Sequence, residues 1–173
     1  VSYLCYNIEN QPYCRSRVLT KKMMEQELNE FVKKDMEAQC LNIQSFKKIG
    51  YNLQEGNLKI TTTIGSDSVL FDANLPIKIT KNEATAERSK FSTNLEIPLG
   101  RLFDATHEIV NTEAATGYFD TLPYSLAKTQ LTNKPYIIQK LQPYPDKLYL
   151  LKIKDTPQNN EYIFQFFIEG EPR

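Results

Sequence analysis

Between Leu58 and Ile97 apolar and polar residues alternate with a period of two. The apolar set runs Leu58, Ile60, Thr62, Ile64, then Val69, Phe71, Ala73, Leu75, Ile77, Ile79, then Phe91, Thr93, Leu95, Ile97. Residues two apart on a strand share a face, so the pattern predicts an antiparallel meander with one buried face. Turns are expected at Gln54–Asn57, at Ile64–Ser68 and over the polar tract Lys81–Arg88. Pro76 interrupts the long strand Val69–Thr80. It cannot donate to a ladder, which predicts an edge position or a bulge there.

Two stretches carry the helical period instead. Thr20 can cap a helix reaching about Gln39, with Met24, Leu28, Phe31, Val32 and Met36 on one stripe. Pro98 opens a second helix, Leu99–Ala114, whose stripe is Leu99, Leu102, Phe103, Thr106, Val110 and Ala114, and Gly117 stops it. A loop with a short helix, Tyr124–Leu131, follows. Tyr136–Leu141, Leu148–Lys154 and Tyr162–Ile168 alternate again. The order helix, four strands, helix, three strands predicts an α+β fold in which helices pack on antiparallel sheet in two layers. A chain of 173 residues fits one such domain, with two packed subdomains, 1–116 and 117–173, as a variant.

Charge narrows the partners. Lys+Arg and Asp+Glu both number 21, for a formal net charge of zero. A nucleic-acid ligand would call for a basic excess, and so would attraction to an anionic membrane. No apolar run is long enough to span a bilayer. The first residue is Val1, so an upstream targeting or anchoring segment is expected to have been removed.

Catalytic signatures are missing. His107 is the one histidine, which excludes a site with two imidazole ligands from one chain. It lies on the flank of the second helix, where a bond to Asp104 or Glu108 is expected. There is no nucleophile elbow, P-loop, dinucleotide fingerprint or EF-hand loop. Asp72, Glu96, Asp104 and Glu108 could in principle supply an acid/base pair, but Asp72 and Glu96 alternate out of phase with the apolar face and read as solvated. No catalytic residue, metal ligand or cofactor site is assigned.

Cys5 and Cys14 are too far apart for a CxxC knuckle. The spacing admits a local disulfide in an oxidising compartment, and equally a pair of reduced, half-buried thiols. Cys40 is then odd. Tyr118, Phe119, Tyr124, Tyr136 and Tyr144 are the aromatics that could line a concave, cystatin-like ligand- or peptide-binding pocket.

Glu37–Leu41 followed by Phe46, Gly50–Gly56, Leu75–Lys81, Phe91–Leu99, Leu102–Val110 and Tyr162–Phe166 resemble the corresponding stretches of uncharacterised, membrane-anchored extracytoplasmic proteins of small-genome archaea. The resemblance carries no catalytic motif. It implies a cell-surface location, with the membrane reached only through an anchor, and a partner for Cys40 upstream of this stretch. Cys5 and Cys14 are additions to that pattern and would pair with each other. The function expected is a non-enzymatic envelope domain for structural or protein–protein interaction, with other envelope proteins or a second copy as partners.

Overall fold

The computed structural model describes residues 19–40, 46, 48–143, 146–155 and 160–168. The fold is α+β, with helices packed on two antiparallel sheets, one of four strands and one of three. The chain divides into two compact units. Of the described residues, one unit holds Lys21–Glu96 and the other holds Ile97 onward together with Leu19 and Thr20. The second helix therefore belongs with the last three strands, not with the meander, because its apolar stripe is the cover for their inner face.

In the first unit, helix α1 (Lys21–Asp35) runs into a π-helical turn, Met36–Cys40. Val32 and Met36 pack on a small core of Leu58, Ile60 and Leu75. Met24 is buried, but Phe31 is 69% exposed and leaves the expected stripe. The helix is turned so that Glu25 reaches the sheet, where its carboxylate accepts the Ile64 N–H at 3.0 Å.

Strands β1 (Asn52–Glu55) and β2 (Lys59–Ile64) both pair antiparallel with β3 (Val69–Lys81), along the same side of it. No reversal occurs at Gln54–Asn57. The two strands are one line broken by a bulge, in which β1–β2 carries one residue more than β3. The chain reverses at Gly65–Ser68, where the Gly65 N–H donates to the Ser68 carbonyl at 2.8 Å. On the other side β3 pairs with β4 (Ala84–Leu95), with a register shift between Asn74 and Ile77. Pro76 thus lies in a central strand, with bulges against both neighbours, and is not at an edge. The polar tract is mostly strand as well. Lys81 pairs with Ala84, so the turn is only Asn82–Glu83, with Asn82 at φ 54°.

Gly56 is what Pro76 requires. Its N–H donates to the Pro76 carbonyl at 2.8 Å, and a Cβ there would lie 3.2–3.3 Å from three atoms of the proline ring. A Gly56→Val substitution should therefore cost about 1–3 kcal/mol through overpacking, and urea unfolding measures it.

In the second unit, helix α2 (Leu99–Thr116) begins at Pro98 and ends at Gly117, whose φ of 72° and N–H to the Glu113 carbonyl at 2.8 Å close the last turn. Helix α3 (Thr121–Thr132) is capped by Asp120, which accepts the Leu122 N–H at 3.3 Å, and ends at Asn133 in the left-handed region. It starts earlier than Tyr124 because this cap sets its first turn. Strands β5 (Tyr136–Leu141), β6 (Lys147–Asp155) and β7 (Asn160–Ile168) form the sheet in that order. Leu102, Ala105, Ile109 and Val110 of α2 close over Tyr136, Tyr149, Leu151, Ile153, Phe166 and Ile168. Ala114 is exposed and Ile109 is fully buried. The stripe is therefore centred nearer Ile109 and Glu113 than the spacing alone indicates.

Candidate functional site

The inner face of the three-stranded sheet is built in rows. Tyr136 faces Ile153 and then Tyr162, Ile138 faces Leu151 and then Phe164, and Lys140 faces Tyr149 and then Phe166. Lys147 is the next residue of β6 in the same phase. The last rows thus bring two lysines inward, at the end of the sheet beneath the C-terminal turns of α2. Glu113 meets them there. It lies about 20° around the helix from Leu102, in the middle of the buried stripe.

The Glu113 side chain has no exposed surface. Its carboxylate accepts from Lys140 Nζ at 2.9 Å, from Lys147 Nζ and from the Tyr149 hydroxyl. Lys147 Nζ also donates to the Gly117 carbonyl at 2.8 Å and so ties the helix end to the sheet. Phe166 stacks on the Tyr149 ring at 5.3 Å, Phe119 meets it edge-on at 6.4 Å, and Lys140 lies 5.5 Å from its centroid.

Burial alone would raise the Glu113 pKa, but the three donors outweigh it and hold the carboxyl below its ordinary value. Burial, reinforced by the hydrogen bond and charge of Glu113, pushes the Tyr149 hydroxyl well up. The carboxylate is thus ionised and the phenol keeps its proton. Each group is held in its ordinary charge state and the cluster is closed on itself, which suits a structural clamp rather than proton transfer.

The other singled-out residues are dispersed. Phe119 and Tyr136 are core side chains. Tyr124 packs edge-on against Phe119 at 5.1 Å and donates to Glu108 at 2.6 Å, while Lys128 reaches the same carboxylate at 2.9 Å. Tyr118 is exposed, with Lys140 4.9 Å from its ring centroid. Phe119, Tyr124 and Tyr136 come together in the packing of this unit. His107 has a partner outside its own helix. Its Nε2 is 3.0 Å from the Leu19 carbonyl, and its ring lies 4.3 Å from that of Phe103. Asp72 accepts from Ser92. Cys5, Cys14, Tyr144 and the side chain of Cys40 lie outside the described residues. Among the described residues, no group of three or more His, Cys, Asp or Glu side chains could hold a metal ion. No described helix is long and apolar enough to cross a membrane.

A second accessible feature is β4. Every residue from Ala84 to Leu95 is exposed, and β4 pairs only with β3 among the described residues. Among the described residues one side of the strand therefore has no ladder partner and is open to a further strand, with the Lys90 carbonyl accepting from Arg88 Nε at 3.4 Å. Phe91 is 38% exposed and Leu95 43%, although both lie on the face that α1 covers over β2. A shallow concavity of about 650 Å³ on this sheet includes Lys59, Asp72, Asn74, Lys90 and Ser92 among its walls. Neither the edge nor the clamp was singled out from the sequence. The clamp did leave a signal, in that Lys140 and Lys147 keep the phase of the buried strand positions and Glu113 keeps that of the helix. No protein family, curated protein or solved structure matches the chain.

Proposed function

We propose that the chain is a non-enzymatic interaction domain of the cell envelope that joins its partner by strand addition to β4. The observation that carries this reading is an edge strand exposed over its whole length, Ala84–Leu95, which pairs on one side only among the described residues. The inward charges of the other unit support it by contrast, since Glu113 already satisfies Lys140 and Lys147. The envelope setting rests on the archaeal resemblance, on the upstream partner it implies for Cys40, and on the pairing expected of Cys5 with Cys14, which are additions to that pattern.

One experiment addresses edge and setting together. A Ser92→Cys variant in its native cells is treated with a membrane-impermeant, thiol-directed photo-crosslinker. Labelling of intact cells above the unmodified chain, followed by a conjugate of one discrete mass, is the expected result. Labelling only after lysis rules out the extracytoplasmic setting. Labelling without a discrete conjugate rules out the interaction.

A further inference from the structure

We infer that the strand received by β4 is β4 of a second copy, paired antiparallel about a twofold axis at Phe91. This rests on the strand-addition reading above and names its partner. A twofold axis normal to a sheet keeps every side chain on its own face. Only registers that set one residue opposite itself are therefore allowed.

The charges on β4 remove four of these registers, among them the two with the longest overlap. A centre at Glu87, Arg88 or Lys90 sets that residue's charge against its own copy. A centre at Ser89 sets Arg88 against Lys90 twice. Like charges directly opposite destabilise a strand pair. A centre at Phe91 has no such conflict over residues 87–95, where Glu87 faces Leu95, Arg88 faces Asn94, Ser89 faces Thr93 and Lys90 faces Ser92. Every other centre free of like-charge pairs overlaps over a shorter stretch, given a strand that ends at Ala84 and Leu95.

The same register uses what the isolated unit leaves open. It sets the partly exposed ring of Phe91, which has the Arg88 guanidinium 5.2 Å from its centroid, against the Phe91 ring of the second copy, the kind of cross-strand aromatic pair that stabilises sheets. It also brings each Lys90 opposite a Ser92 whose hydroxyl donates to Asp72, which adds a cation on the outer face two strands from that carboxylate. Within its own sheet Lys90 faces Asn74 and has Asp72 on the diagonal. Edge charges usually discourage pairing. Here they discourage the wrong registers. β7, also at a sheet edge, carries only Glu161 as a charged residue and has nothing comparable to select one register.

The test uses the whole chain. Sedimentation velocity over a concentration series should show a monomer–dimer equilibrium. Phe91→Lys should weaken it by roughly tenfold or more, through loss of the aromatic pair and gain of a like-charge pair at the axis, with an unchanged circular dichroism spectrum. Phe91→Cys and Ser89→Cys variants are then oxidised with copper phenanthroline and the links mapped by peptide mass spectrometry. Linkage of position 91 to position 91, with position 89 unlinked to itself, is expected. A chain that stays monomeric at every concentration overturns the inference, and so does linkage at 89 in place of 91. A conjugate with a different protein in the Ser92→Cys experiment, from a chain monomeric when purified, overturns self-pairing and leaves the interaction reading standing.

Discussion

Replacing Glu113 by alanine should destabilise the unit that contains it by about 3 kcal/mol, the lower end of the cost of breaking a buried ion pair from one side. The loss leaves Lys140 and Lys147 without their counter-charge and the Tyr149 hydroxyl without an acceptor. Their side chains are 13% and 24% exposed, so each ammonium can reach some solvent along its stem, which keeps the effect from the top of the range. Hydrogen exchange of the β5–β7 amides and urea unfolding would register it. The triple replacement Glu113→Leu, Lys140→Met and Lys147→Met should recover most of the loss, because an apolar cluster of similar volume has no unpaired charge to bury. A triple variant as unstable as Glu113→Ala would mean that the clamp contributes through geometry that apolar side chains cannot copy.

The same carboxylate sets a pH dependence of known sign. Its folded pKa lies below the ordinary value, because hydrogen bonds from Lys140, Lys147 and Tyr149 outweigh the effect of burial. The unfolded chain therefore binds the proton first as pH falls. The clamp's contribution is full above the unfolded carboxyl value of about 4.3 and is lost as pH drops through the lower folded value. The stability difference between the unmodified chain and Glu113→Gln should accordingly be constant near neutrality and shrink below about pH 4.

Much of this architecture could be read from local pattern. The three closing strands were legible nearly residue by residue, since Tyr136, Ile138, Leu151, Ile153, Phe164 and Phe166 alternate cleanly. Gly117 marked the helix end because a left-handed C-cap is a local event. What escaped depended on distant neighbours. Gly56 and Asn57 have the composition of a turn, yet the chain continues past them because Gly56 accommodates the ring of Pro76 on the facing strand. β4 alternates like a buried strand, but α1 lies over β2 and leaves Phe91 and Leu95 in contact with solvent. The clamp was half visible. Lys140, Lys147 and Glu113 each occupy an apolar phase, and a charge there needs a partner of opposite sign. That these three are each other's partners follows only from the pairing of β5 with β6 and from the position of α2 above them.

The helix stripe itself provides the second large effect. Ile109 has no exposed surface and sits in the cluster with Leu102, Tyr149 and Leu151, about 20° around the helix from Leu102. Ala114 lies about 120° from the same reference, and its side chain faces solvent. An Ile109→Ala substitution removes methylene groups from a close-packed interior that cannot fully collapse around the gap. It should cost about 2–5 kcal/mol. Ala114→Ser keeps the residue small on an exposed turn and should stay within about 0.5 kcal/mol of the unmodified chain. Paired urea unfolding curves decide between the two stripes. If the Ala114 substitution proved the costlier, the buried face of α2 would be centred on the flank that the simple spacing of Leu99, Phe103, Val110 and Ala114 suggests. Glu113 would then be turned away from Lys140 and Lys147, and the clamp would go with it.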